Sequence, residues 1–207
     1  MEDHKIKKED IKEAFRNPTK VKGMALKEGI CKAIRERLGD KSIKLIEKES
    51  KKLGFPFKLE KIRNFEWYPA GTIVEVLYIL QEKFNFQEKD FAELGGISSK
   101  SSFFVKILMR YFTVPEKIVK IAAFRLWQRY FDRGEVEVCE FRDSETGGFL
   151  IARIKNFKLH PLHFFYLGYF FLGMFKLTKK FKDITVKETK SPFKGDECQE
   201  YLFRWKH

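Results

Sequence analysis

Glutamine occurs at only four places in this 207-residue chain, Gln81, Gln87, Gln128 and Gln199, and cysteine at three, Cys31, Cys139 and Cys198, with no C-x-x-C pair. Widely spaced cysteines in odd number exclude a disulfide framework and a zinc ribbon and point to a reducing compartment. Few glutamines beside abundant Lys and Glu are the composition of a heat-adapted chain. Catalytic signatures are missing too: there is no G-x-S-x-G, no H-E-x-x-H and no paired-acid motif, and "ELGGISSKSS" lacks the spacing of a phosphate-binding loop. The chain therefore reads as a non-enzyme. "MEDHKIKKED" leads into no apolar stretch, which argues against a secretory signal and for a cytoplasmic protein.

The longest apolar run, "LHPLHFFYLGYFFLGMFKL" from Leu159 to Leu177, has no charged side chain between Lys158 and Lys176. A membrane span needs about 20 predominantly apolar residues. This run is shorter, contains His160, Pro161 and His163, and is followed by strand-like patterns, so it belongs inside a domain and no membrane span is expected. Pro161 suits the first turn of a helix over 161–176. At 3.6 residues per turn, His163, Tyr166, Phe170 and Met174 share one side, with Phe165, Tyr169, Leu172 and Phe175 on others. A helix apolar all round must be covered on several sides. Gly168 and Gly173 each cost roughly 1 kcal/mol against Ala in a helix interior, which implies that another helix or a ligand approaches the backbone closely.

What the chain has in excess is Phe, at 23 residues, and positive charge, a net +13. Residues 1–66 hold 19 basic and 12 acidic groups, residues 67–152 hold 11 and 12, and residues 153–207 hold 12 and 5. An excess at both ends can attract nucleic acid or an anionic membrane, but "KIKKEDIKEAF" alternates its signs as solvated helix faces do.

Helical patterns fill the first two-thirds. Leu26, Ile30, Ile34 and Leu38 lead to Gly39; Asp40 then reads as the N-cap of a helix with Ile43, Ile46 and Leu53 that ends at Gly54. A helix is predicted over 70–84, a short one closed by Gly95, and another in "SKSSFFVKILMRYF". Thr113 and Glu116 read as a capping box for a helix through Tyr130 that carries Val119, Ala122 and Leu126 on one face. Alternation over 135–141 and 149–154 makes one hairpin, and 183–189 with 198–205 a second. The expected fold is α+β, N-terminal helices packed on a mainly antiparallel four-stranded sheet in the order helices then ββαββ. Residues 1–19 read as a basic N-terminal segment with a helical pattern, and 20–207 as a single domain.

The ordered marks "EWYPAG", "FRLWQRYFDRGEVEV", the aromatic run and "VKETKSPFKGDECQEYLFRW" resemble bacterial and archaeal sensor domains of the 4-vinyl reductase-like group. That group shares its fold with haem nitric-oxide-binding domains and with subunits of the TRAPP vesicle-tethering complex. The similarity covers roughly residues 20–206 and is strongest at Glu188, Thr189, Gly195, Asp196, Cys198 and Trp205. It implies a small-molecule-binding or regulatory domain that is not a catalyst and that forms a homodimer. Where related domains carry cysteines, this chain has Ser191 and His163, and it lacks the Tyr-x-Ser-x-Arg signature that holds haem propionates. The expectation is therefore against haem and against zinc.

Two sets of residues carry the remaining chemistry. Tyr166, Tyr169, Phe170 and Met174, with Gly168, Gly173, Trp127 and Phe103 or Phe104, offer the walls of an apolar ligand pocket; the same residues would otherwise fill a packed core. His160, His163, Cys139 and Cys198 offer nitrogen and sulfur for a metal. The function expected is binding of a small apolar or aromatic molecule by a sensor domain. The alternative is a docking protein with a filled core, for a protein partner or for nucleic acid.

Overall fold

Ile6, Ile11 and Ala14 are buried in the main core, so the basic N-terminal stretch packs into the fold. Its helix α1 (Lys8–Arg16) lies on α4 (Gly71–Phe84). Gln81 clamps the lead-in, accepting from Ile6 N at 3.0 Å and donating to Ile6 O at 3.1 Å. The computed structural model describes residues 4–101, 105, 116–177 and 181–207, the side chains of 116–122 excepted.

After α1 come β1 (Lys20–Lys22), a π-helical stretch (Ala25–Cys31) that continues as α2 (Lys32–Leu38), α3 (Asp40–Leu53), a 3₁₀ turn (Leu59–Lys61) and β2 (Trp67–Pro69). The helices α4 and α5 (Glu88–Ser101) follow. The C-terminal half is α6 (Glu116–Tyr130), β3 (Glu135–Ser144), β4 (Gly147–Lys155), α7 (Pro161–Lys176), β5 (Lys182–Lys190) and β6 (Gln199–Lys206). The four long strands form an antiparallel sheet in the order β3-β4-β6-β5. This is the expected helices-then-ββαββ architecture, with a further two-stranded ladder of β1 and β2 that the sequence pattern did not announce. Leu150, Ala152 and Ile154 of β4 and Tyr201, Phe203 and Trp205 of β6 are buried on the sheet face that carries α7, while the residues between them face outward.

Two local expectations are corrected. Gly39, at φ +78°, takes the N-cap position assigned to Asp40; Asp40 is the first helical residue and its carboxylate meets Arg35 Nε at 2.6 Å. Helix α5 does not close at Gly95 but runs through Gly95 and Gly96 to Ser101. The reason is tertiary: a Cβ at Gly95 would lie 2.7 Å from Tyr166 O, and one at Gly173 would strike Ser99 Oγ and sit 3.0 Å from Gly96 Cα. These glycines let α5 and α7 approach backbone to backbone, at a propensity cost that close packing offsets. Thr113 of the expected capping box lies outside the described residues, as do the side chains of Val119 and Ala122.

Glu75, in the middle of α4, is fully buried and neither carboxylate oxygen has a hydrogen-bond partner. Burial pushes its carboxyl up to about 7; the Ser50 hydroxyl, which acts the other way, is committed to Phe55 O at 2.7 Å. Between the ordinary carboxylate value and about 7, the folded chain holds a proton that the unfolded chain has lost, so stability falls as pH rises through this window.

Two outcomes are expected from urea unfolding. Gly173→Val should destabilise by about 1–3 kcal/mol through overpacking against α5. Glu75→Gln should abolish a stability loss of about 3 kcal/mol between pH 4.5 and 7; a wild type and variant with parallel pH profiles would show that Glu75 is not held protonated.

Candidate functional site

Helix α7 is apolar on every side, and two of its sides are closed by different means. Its Gly173 meets α5. Its sheet side is pinned where Tyr201 O–H donates to Phe164 O at 2.6 Å; a Cβ at Gly168 would lie 3.0 Å from the Tyr201 ring, so this glycine seats the tyrosine. The remaining side, which carries His163, Tyr166, Phe170 and Met174, does not close on itself. It borders a cavity of about 100 Å³ shared with α6, the inner sheet face and the π-helical stretch.

Each wall has a sequence reason. From α6, Leu126, Trp127 and Tyr130 face inward, with Phe131 just beyond the helix. Trp127 N–H donates to Arg133 O at 2.9 Å, so its polar edge is satisfied away from the cavity and its ring packs on Phe131 at 4.5 Å. From the sheet come Val136, Val138, Leu150, Ala152 and Phe203. Ala25, Gly29 and Ile30 of the π-helical stretch form the opposite wall. A Cβ on Gly29 would meet nothing within 4 Å, so this glycine keeps space open where Gly168 and Gly173 fill it. π-helical segments recur at functional sites.

Besides the tyrosines Tyr130 and Tyr166, His163 is a polar residue of this lining. It is completely buried, and neither ring nitrogen has a hydrogen-bond partner. Its ring sits among Phe131 at 5.9 Å, Phe157 at 5.8 Å and Tyr166 at 6.4 Å, nearly parallel to the last. Burial, with a smaller contribution from His160, lowers its pKa to about 3. The imidazole is therefore neutral at ordinary pH, with one N–H and one lone pair left without a partner on the wall of the apolar space. Burial also raises the Tyr166 phenol well above its ordinary value.

Of the expected pocket residues, Tyr166, Phe170, Met174 and Trp127 line the cavity, whereas Tyr169, Gly168 and Gly173 face elsewhere. Phe103 and Phe104 lie outside the described residues. The metal set does not assemble. His160 caps α7, its Nδ1 accepting from Leu162 N at 3.1 Å, and its Nε2 stands 3.5 Å from Asp10 Oδ2. Helix geometry would let His160 and His163 share a face only if both were helical, and His160 is the extended cap residue. Cys139 sits at a bulge in β3 and Cys198 is buried just before β6. Among the described residues no group of three or more His, Cys, Asp or Glu can hold a metal ion. No described helix is long and apolar enough to cross a membrane. Missed by sequence reasoning were Ala25, Gly29, Ala152 and the β3 valines; the available signal was Gly29, a glycine inside a helical pattern that no cap required.

No family model matches this sequence, and neither does any curated protein. Solved structures do match. An oxygen-binding H-NOX domain related to soluble guanylate cyclases, in its oxygen complex, superposes with a TM-score of 0.59 at 15% identity, over 89% of this chain and 94% of that one. An H-NOX protein from S. oneidensis in the Fe(II)NO ligation state gives 0.58 at 8% identity, over 90% and 99%. A protein studied for haem redox potential under porphyrin distortion gives 0.57 at 14% identity, over 90% and 99%. The chain has the H-NOX fold. This supports the part of the family resemblance that reaches haem nitric-oxide-binding domains.

The H-NOX fold corrects the expectation against haem. Domains of this fold are described by a haem redox potential and by an Fe(II)NO state, so haem is the cofactor to which the structural likeness points. The missing Tyr-x-Ser-x-Arg signature removes one anchor, for the propionates. It says nothing about burial of the macrocycle or ligation of the iron.

His163→Leu tests the electrostatic assignment. A histidine whose folded pKa is depressed holds fewer protons than the unfolded chain below its ordinary value, so its stabilising effect is lost as pH falls. Wild type should lose about 3 kcal/mol from this site between pH 6.5 and 4, and His163→Leu none of it. The ring resonances of His163 should also fail to titrate between pH 5 and 8 in NMR spectra.

Proposed function

We propose that this chain is a ligand-binding regulatory domain without catalysis, and that the cavity between α6, α7 and the sheet is its binding site. The observation that carries the reading is the fully buried His163 with two unpartnered nitrogens on the wall of an apolar cavity. An unmade hydrogen bond in such a place costs about 1–3 kcal/mol, and a core selected only for stability would place Leu or Phe there. A ligand that satisfies the imidazole turns that cost into affinity.

The residues present fit an iron porphyrin in kind. Trp127, Phe131 and Tyr166 supply aromatic walls, and His163 supplies a neutral nitrogen that can face a metal. Haem would bring an iron able to take a small gas molecule, as the oxygen and NO complexes of the structural neighbours do. The chain's own contribution is to exclude water, hold the imidazole neutral and orient it through the aromatic rings around it. The cavity of about 100 Å³ is close to the ~150 Å³ of an apolar cavity that takes benzene, so a macrocycle enters only if α6 and α7 part.

Membership on the 4-vinyl reductase-like side of the fold group belongs to the same proposal. Its support is the end of β5 and the loop after it, where Thr189 O–H donates to Glu200 Oε1 of β6 at 2.9 Å, Ser191 N donates to Asp196 Oδ2 at 2.8 Å, and Gly195 adopts φ +93°. The marked residues thus shape one turn and one strand pair. A second subunit enters only through the family resemblance, because α7 finds its cover within the chain. Nucleic-acid binding enters only through the net charge.

Haem titration of the full chain, followed by absorption, tests the site. The expected result is one equivalent bound with a shifted Soret band, and a different Soret position in His163→Leu. A spectrum that stays that of free haem, together with a purified protein that retains no small molecule in native mass spectrometry, would count against the cavity as a binding site.

A further inference from the structure

Size, polarity and charge together narrow what the cavity takes as its walls stand. Among the described residues no Lys, Arg, Asp or Glu lines it, so a charged ligand would be buried without a counterion. Its volume of about 100 Å³ compares with the ~150 Å³ apolar cavity that holds benzene. The wall opposite α7 is kept low by Gly29, beyond which a side chain would meet open space. Of the lining side chains among the described residues, His163 alone carries buried nitrogens without partners. Its ring is wedged against Phe131, Phe157 and Tyr166, so its orientation is fixed by packing, and its donor and acceptor are both unmet beside the cavity.

We propose that the cavity binds compact, neutral molecules of single-ring size that carry one hydroxyl or ring N–H, and that His163 is the hydrogen-bond partner that selects them. This rests on the reading of the cavity as the binding site and names the class of molecule it accepts. The apolar body of such a ligand replaces empty space with dispersion contacts from the aromatic walls, and its single polar group meets the imidazole. A purely apolar ring gains the first and leaves the second unmade. A carboxylate loses more to desolvation than both return.

Calorimetry on the full chain with phenol, toluene and benzoate as probes tests this. Phenol should bind about tenfold more tightly than toluene, the ratio expected for one net hydrogen bond, and benzoate should not bind. In His163→Leu the phenol and toluene affinities should converge. Gly29→Leu, which fills the cavity from the far wall, should block both rings while circular dichroism shows the fold retained. Equal affinity for phenol and toluene in the wild type overturns the role of His163 without any variant. Failure of every ring to bind overturns the size assignment: if haem still binds, the cavity stands as a site for a larger ligand, and if haem also fails, the broader reading falls with it.

Discussion

A sixteen-residue helix with no charged side chain before its last residue has to be kept from water on all sides inside a chain of net charge +13. Much of the fold follows from that requirement. At 1.5 Å per residue, α7 is about 24 Å long, too short to span a bilayer and long enough to cross a four-stranded sheet. The sheet covers one side, fixed by the Tyr201–Phe164 hydrogen bond. Helix α5 covers another, and it comes close enough only because glycines stand on both helices. The third side faces α6 and the π-helical stretch. There the wall residues are small, Ala25, Gly29 and Ala152, and small residues opposite a row of rings leave a space that rings alone do not fill.

Two buried titratable groups flank this arrangement and pull stability in opposite directions with pH. Glu75 favours the folded chain at low pH because its carboxyl stays protonated; His163 favours it at higher pH because its imidazole stays neutral. Both are unpartnered, and both cost more than an apolar residue would in the same place. They differ in surroundings. Glu75 is enclosed by helices α1 and α3, which pack on α4, whereas His163 borders open volume. An unpaired group beside a cavity can be satisfied by something that arrives, and one inside a closed helix layer cannot. That difference makes His163 the functional candidate and Glu75 a constraint on folding.

Legibility in the sequence followed the range of the interactions involved. Strand alternation and the Pro161 helix start are local, and the ββαββ order could be read from them. The side of α7 bearing His163, Tyr166, Phe170 and Met174 was also visible, because it follows from helical period alone. What lies opposite that side was not, since Gly29 and Ala152 are brought there by tertiary contacts that leave no local mark. Gly95 misled for the same reason: a glycine late in a helix looks like a stop, and only the proximity of Tyr166 shows it to be a packing position. The haem expectation erred through dependence on a single motif, which speaks to the propionates and not to the metal or the macrocycle.

The charge excess and the cavity answer to different partners. On the outward face of the sheet, Arg153 pairs with Glu200 at 2.6 Å, Lys155 with Glu137 at 2.6 Å and Arg142 with Glu140 at 2.7 Å, so the acidic groups there are already engaged by cations. The cavity lies on the opposite face, and no described residue of its lining carries a formal charge. With a sheet between them and a Debye length of about 8 Å at physiological salt, the outer charges have little hold on what enters the cavity. On the proposed reading, ligand selection is thereby left to shape and to one neutral imidazole. The basic surface remains free to set solubility and association. A domain whose recognition chemistry is uncharged inside and strongly charged outside can therefore change its partners without altering its ligand.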